Sequence, residues 1–180
     1  MSSPPALTLP APLIAAGISL RPITPEDRPF LEQLYRIVRW DEFAATGWPD
    51  EAKAAFLASQ FDFQRRGYEA SNPETELYVV SHGASPIGRL YVDRSGREIE
   101  LVEISLLPDW RGQGLGAAFL ALLQDVARAG GFDGVRLTVT PENPARRLYR
   151  RAGFVEAEPA SAYGEAHIEM VWRAPGGAVS

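Results

Sequence analysis

The 180-residue chain contains no cysteine. That excludes a disulfide framework, a thiolate metal site and a thiol nucleophile. Histidine is scarce too: His82 and His167 are the only two and lie far apart in the sequence, so no metal is expected. No apolar run approaches the length of a membrane span. Basic charge is in deficit, with 18 Lys and Arg against 23 Asp and Glu and a net charge of −5. A nucleic-acid binder would present a basic face, so neither nucleic acid nor membrane is an expected partner. What is plentiful is apolar content, at 46%, enough for one domain with a sizeable core. Residues 1–16 are rich in Pro, Ala and Ser and lack the basic start of a signal peptide. They read as a flexible tail, with the domain over 17–173, a second tail over 174–180 and the cytoplasm as the expected compartment.

One stretch organises the rest. Ile99 to Leu107 is a short run of aliphatic and β-branched residues stopped by Pro108, which predicts a strand. Arg111-Gly112-Gln113-Gly114-Leu115-Gly116 follows, then good helix formers from Leu115 to about Ala129, ended by Gly130-Gly131. Glycines at alternate positions let a ligand lie against the backbone. The first N–H groups of a helix lack partners and carry partial positive charge. Together with Arg111 they form a candidate anion cradle, suited to a pyrophosphate; a ligand-free left-handed turn has the same sequence requirements. A Walker loop is excluded because Gly116 is followed by Ala117-Ala118, and the third glycine comes too early for a dinucleotide fingerprint.

Around this centre, Ile18–Arg21 is a strand and Thr24-Pro25 a helix start, with Phe30, Leu31, Leu34, Tyr35 and Val38 at helical spacing. A second helix is predicted from Glu51 to Arg66, ending at Gly67. Strands follow at Leu77–Ser81 and Ile87–Asp93, with a two-residue hairpin at Ser95-Gly96. Val135–Val139, Phe154–Glu156 and His167–Trp172 complete the strands.

Arg111-x-x-Gly114-x-Gly116 resembles the acetyl-CoA signature of the GNAT superfamily of N-acetyltransferases. A second block, Asn143-Pro144-Ala145-Arg146-Arg147-Leu148-Tyr149-Arg150-Arg151-Ala152-Gly153-Phe154, is similar to the superfamily's Asn…Ala-x-x-Leu-Tyr-x-x-x-Gly-Phe segment, with Asn143 one residue nearer Tyr149 than is usual. The resemblance implies a mixed α/β fold: a six- or seven-stranded sheet, about four helices and two splayed central parallel strands. It implies acetyl-CoA as co-substrate and an amine as acceptor. Gln113, Gly114, Leu115, Gly116 and Ala117, with Arg111 and Gly112, would hold the pyrophosphate. Backbone groups of Leu106 and Leu107 would pair with the pantetheine arm, and the thioester would end near Ile104. Asn143 would touch the arm, and Arg146, Arg147, Arg150 and Arg151 are within possible reach of a phosphate. Terminal strands of this fold often pair, so a homodimer is an expected assembly.

The same resemblance makes Tyr149 the general acid toward the thiolate leaving group, a role a phenol can fill; by spacing alone it reads as a core aromatic packed with Leu148 and Phe154. The base is a carboxylate or water. Thr138 occupies one family position for it, which leaves Glu100 and Glu103 on the central strand. Strand alternation predicts that these two point to opposite faces. The acceptor is expected near the first two helices, where Trp40, Asp41, Glu42, Phe43, Trp48, Asp50 and Glu51 mix acids with aromatics and suit a cationic amine. A coenzyme A sensor without catalysis and a partner-binding domain remain open on these residues.

Overall fold

The computed structural model describes residues 7–71, 73–157 and 167–175, and for 68–71 the backbone alone. In chain order the elements are α1 (Ala11–Ala15), β1 (Ile18–Pro22), α2 (Arg28–Arg39), α3 (Asp50–Ser71), β2 (Thr75–His82), β3 (Ser85–Asp93), β4 (Ile99–Leu106), α4 (Leu115–Gly130), β5 (Gly134–Val139), α5 (Arg146–Arg151), β6 (Val155–Glu156) and β7 (Ile168–Arg173). All seven strands join one mixed sheet in the order β1-β2-β3-β4-β5-β7-β6. Only β4 and β5 run parallel. The mixed sheet with flanking helices is as expected from sequence, with five α-helices among the described residues.

Alternation along the strands sorts their side chains onto two faces. One face carries Val80, Leu90, Val92, Leu101 and Leu137 and packs on Phe119, Leu120, Leu123 and Ala127 of α4. Across the sheet, Leu31 and Tyr35 of α2 meet Leu57 and Phe61 of α3 in a smaller cluster. A capping box between Thr24 and Asp27 opens the 3-10 turn that leads into α2. Arg21 clamps the Asp27 carboxylate at 2.6 and 2.7 Å and holds its pKa down at about 2.

Residues 7–16 are not a flexible tail. Leu7, Leu9 and Leu13 are each 8% exposed and belong to the main core. Pro12 starts α1 at a position where no helical N–H is needed, and three leucines at close spacing make an apolar face that overall composition conceals. Leu13→Ala is therefore expected to cost about 2 kcal/mol in urea unfolding. A freely mobile segment would give no change.

Two boundaries also move. The helix predicted to stop at Gly67 runs on to Ser71, because a single glycine lowers helix stability by only about 1 kcal/mol. The β3–β4 hairpin pairs Asp93 with Glu100, and its loop spans 94–98 rather than two residues. Asp93 folds that loop locally by accepting from the Ser95 N–H and hydroxyl.

A bulge in β4 has the largest consequence for function. Tyr91 lies opposite Glu103 while Val92 lies opposite Leu101, leaving Val102 without a partner on β3. An extra residue inverts the facing of everything beyond it. Glu100 and Glu103 therefore share a face, contrary to simple alternation: the face of Arg89 and Tyr91, toward α2 and α3.

Candidate active site

Strands β4 and β5 pair only from Ile99↔Val135 to Leu101↔Leu137. Beyond that point β4 continues to Leu106 on the β3 side alone, and a gap opens between the parallel strands. The Leu107 N–H donates to the Ile87 carbonyl at 2.9 Å. In an antiparallel pair alternate residues bond the same neighbour, so the peptide groups of Ile104 and Leu106 face the gap and that of Leu107 does not. Of the three residues expected along the pantetheine arm, Leu107 is thus already engaged with β3.

The glycine loop has the geometry that its composition requires. Gly112 and Gly114 have φ of +70° and +83°, and a Cβ at either would meet nothing within 4 Å. Gly116 has a different reason: a Cβ there would sit 2.9 Å from Leu148 Cδ2, so this glycine lets α4 approach α5. The first helical bond of α4 runs from the Ala118 N–H to the Gly114 carbonyl, and no side chain caps the helix. The N–H groups of Leu115, Gly116 and Ala117 stand ahead of that bond, beside a cleft of about 800 Å³ whose walls include Arg111, Gly114, Ala117 and Arg151. Arg111 donates from Nε to the Leu106 carbonyl at 2.9 Å, tying the loop to the end of β4. Gln113 closes the loop from within through the Asp109 carbonyl.

The donor set fits a phosphate: backbone N–H groups, a guanidinium and space left by missing side chains. Asn143 makes a different contact. Its Oδ1 accepts from the Ala145 N–H at 2.9 Å, shaping the turn into α5, while Pro144 and Ala145 line the cleft in its place. Arg146 and Arg150 both pair with Glu156, at 2.6 and 2.7 Å, so Arg151 alone of the four arginines lines the cleft.

Tyr149 is buried, its ring 6.2 Å from that of Phe154. Gln124, on α4, donates to the Ala152 carbonyl at 2.7 Å and so fixes α5, with its tyrosine, against α4. The phenol makes no hydrogen bond among the described residues. Burial, and secondarily the charge of Glu103, pushes its pKa up to about 12. It therefore holds its proton throughout the neutral range.

The two candidate carboxylates now separate. Glu100 lies in the zipped part of the sheet, where Arg136 opposite it donates at 2.6 Å. Glu103 lies two residues past the last β4–β5 pair, and its Oε1 takes every hydrogen bond the residue accepts among the described residues. The donors are Arg89, through Nε at 3.1 Å and through Nη2, and the Ser105 hydroxyl at 2.8 Å. No described residue donates to Oε2. Neither Arg89 nor Ser105 stood out in the sequence, although a single arginine in the apolar run Ile87–Val92 was a signal that it needs a buried partner.

The pairing sets an expected stability effect. Arg89 is 2% exposed and Glu103 19%, so Glu103→Gln strands a buried guanidinium. A cost of about 2–3 kcal/mol is expected by urea unfolding, at or below the lower end for fully buried pairs because Glu103 keeps some solvent. Exchanging both members for apolar residues, Arg89→Met with Glu103→Leu, should restore most of that stability.

The residues expected around the acceptor do not converge on a single pocket. Glu42 pairs with Arg39 at 2.8 Å, and Lys53 lies over the Trp40 ring at 5.4 Å. Trp48 packs on Phe43 and Phe56, with ring centroids 6.1 and 5.5 Å apart. Asp41 borders a shallow hollow with Arg36 and Trp40, and Asp50 pairs with Lys53. Among the described residues no group of three or more His, Asp or Glu is placed to hold a metal ion, and no helix is long and apolar enough to cross a membrane.

A mycothiol acetyltransferase from Clavibacter michiganensis subsp. michiganensis (strain NCPPB 382) is 43% identical over 63 residues, spanning 34% of this chain and 21% of that protein. The chain thus matches about a fifth of that relative's length. The PaiA N-acetyltransferase of Thermoplasma acidophilum, solved in complex with coenzyme A, has the same fold at a TM-score of 0.65 and 17% identity, covering 87% of this chain and 98% of that one. An acetyltransferase from Thermus thermophilus follows at 0.61 and 21%, covering 87% and 96%. The family model for the acetyltransferase (GNAT) family matches residues 31–154, well over half of the sequence; the chain belongs to that family.

Proposed function

We propose that this protein is an N-acetyltransferase that moves the acetyl group of acetyl-CoA directly to a primary amine. The observation that carries the reading is the juxtaposition of three features: the β4–β5 gap, the uncapped start of α4 at one end of it, and a buried, protonated Tyr149 on α5. Acetyl-CoA, when bound, supplies an activated thioester; the chain does the rest. The N–H groups of Leu115, Gly116 and Ala117, with Arg111, hold the phosphates. Peptide groups of Ile104 and Leu106 orient the arm, and an N–H there stabilises negative charge developing on the acyl oxygen. Tyr149 keeps a proton for the departing sulfur. Glu103, through the open Oε2, accepts a hydrogen bond from the incoming ammonium and draws off its proton directly or through water. Glu100 is held by Arg136 away from the gap and serves the sheet.

A small-molecule amine is favoured over a protein N-terminus or lysine. Helices α2 and α3 roof the Glu103 face of the sheet and enclose a cavity there, where a peptide would need an open groove. The test is calorimetry with acetyl-CoA, followed by an amine panel read through released coenzyme A thiol. With no cysteine in the chain, the protein adds no background to that assay. Micromolar binding and amine-dependent thiol release are the expected outcome. Absence of binding overturns the reading, and binding without release across the panel favours a sensor.

A further inference from the structure

A second cavity, of about 370 Å³, lies between α2 and α3 above β2 and β3. Its lining residues include Arg28, Arg65, Arg89 and Gln64, together with the apolar Leu31 and Phe61. Among the described residues no Asp or Glu lines it. Asp62, paired with Arg28 at 2.8 Å, and Glu103, paired with Arg89, both lie outside the lining. Arg89 is buried to 2% exposure and lies over the rings of Tyr35 and Tyr91, 5.7 and 5.0 Å from their centroids. It is a built element of the wall, held in place from both sides, and no surface arginine that happens to lean inward.

Such a lining selects by charge. A cation entering it would be desolvated among guanidiniums of its own charge sign, and Trp40, Asp41, Glu42 and Trp48 are not among the lining residues. A carboxylate gains forked, charge-assisted hydrogen bonds from guanidiniums, and the apolar walls bury a hydrocarbon body. The cavity is also one side chain from the β4–β5 gap, because Arg89 both borders it and donates to Glu103.

Building on the transferase reading above, we propose that this cavity holds the far end of the acceptor, and that this end is an apolar group bearing a carboxylate. The acceptor is then an amine that is also an acid, its amino group at Glu103 and its carboxylate among Arg28, Arg65 and Arg89.

The experiment is calorimetry on the full chain with 4-methylpentanoate, 3-phenylpropanoate and indole-3-acetate, each against its neutral amide. None carries an amine, so binding is read without turnover. At least one acid is expected to bind about tenfold or more tighter than its amide. Arg65→Gln and Arg28→Gln should each erode that preference, and Arg65→Lys should recover part of it, while acetyl-CoA affinity stays unchanged in all three. Equal affinity for acid and amide, no binding by any acid, or a preference untouched by both glutamine variants overturns the proposal. In turnover, the bound acid should inhibit competitively against the amine found in the panel. Inhibition that is noncompetitive with the amine would overturn the assignment to the acceptor. Should acetyl-CoA itself fail to bind, the transferase reading falls while the acid–amide comparison still decides the cavity.

Discussion

Tyr149→Phe is expected to lower kcat by a factor of about 10²–10⁴, the usual range for loss of a general acid, while acetyl-CoA binds as before. The substitution removes one oxygen and keeps the ring against Phe154. Because the hydroxyl has no hydrogen-bond partner among the described residues, stability at neutral pH should change by less than about 0.5 kcal/mol. A purely structural tyrosine would give unchanged kcat together with that unchanged stability. The pH dependence gives an independent check. With its pKa raised to about 12, Tyr149 keeps its proton in the fold after the unfolded chain has released it near 10. The stability this confers is complete below about pH 10 and is lost as pH rises through 12, amounting to about 3 kcal/mol. Urea unfolding of wild type and variant should therefore coincide at neutral pH and diverge between pH 10 and 12, wild type losing more. No alkaline fall in rate from this group is expected below about pH 11. Unchanged kcat in the variant would return Tyr149 to the core.

Gly114→Glu should abolish acetyl-CoA binding, by about a thousandfold or more in affinity, equivalent to about 4 kcal/mol. The residue has φ +83° with open space where a Cβ would be, so the new side chain meets no atom of the protein. Its carboxylate can settle on the N–H groups at the start of α4 that a phosphate would otherwise use. The left-handed backbone costs a side chain about 1–2 kcal/mol, which a thermal melt would show as a modest drop. Gly114→Asn separates the two effects, since asparagine tolerates that conformation and brings no charge. It should retain most binding. Calorimetry on the three proteins decides: a glutamate variant that binds like wild type would mean the loop is a turn and no cradle.

Much of the fold was legible because its signals are local. The run Ile99–Leu106, the positive-φ glycines at 112 and 114, and the stop at Gly131 each follow from a few neighbouring residues. So did the motif pairing of Arg111-x-x-Gly114-x-Gly116 with the block around Tyr149, which identified the family before any coordinates. Other features depended on partners distant in the chain. Leu7, Leu9 and Leu13 look like part of a proline-rich tail until the sheet offers them a core. Gly67 looks like a helix end until neighbouring turns carry the helix through it.

The site divides along the same line. Sequence alone determined which residue types make up the candidate anion cradle and singled out Tyr149 as the candidate acid, because backbone dihedrals, helix ends and motif spacing obey short-range rules. Only the tertiary structure decided which carboxylate is available. A bulge at Val102 turns Glu100 and Glu103 to one face, β5 leaves β4 after Leu101, and Arg89, fourteen positions before Glu103, takes one oxygen and leaves the other. Strand register, and the charge pairing that depends on it, are properties of two strands at once, and no single stretch of sequence carries them.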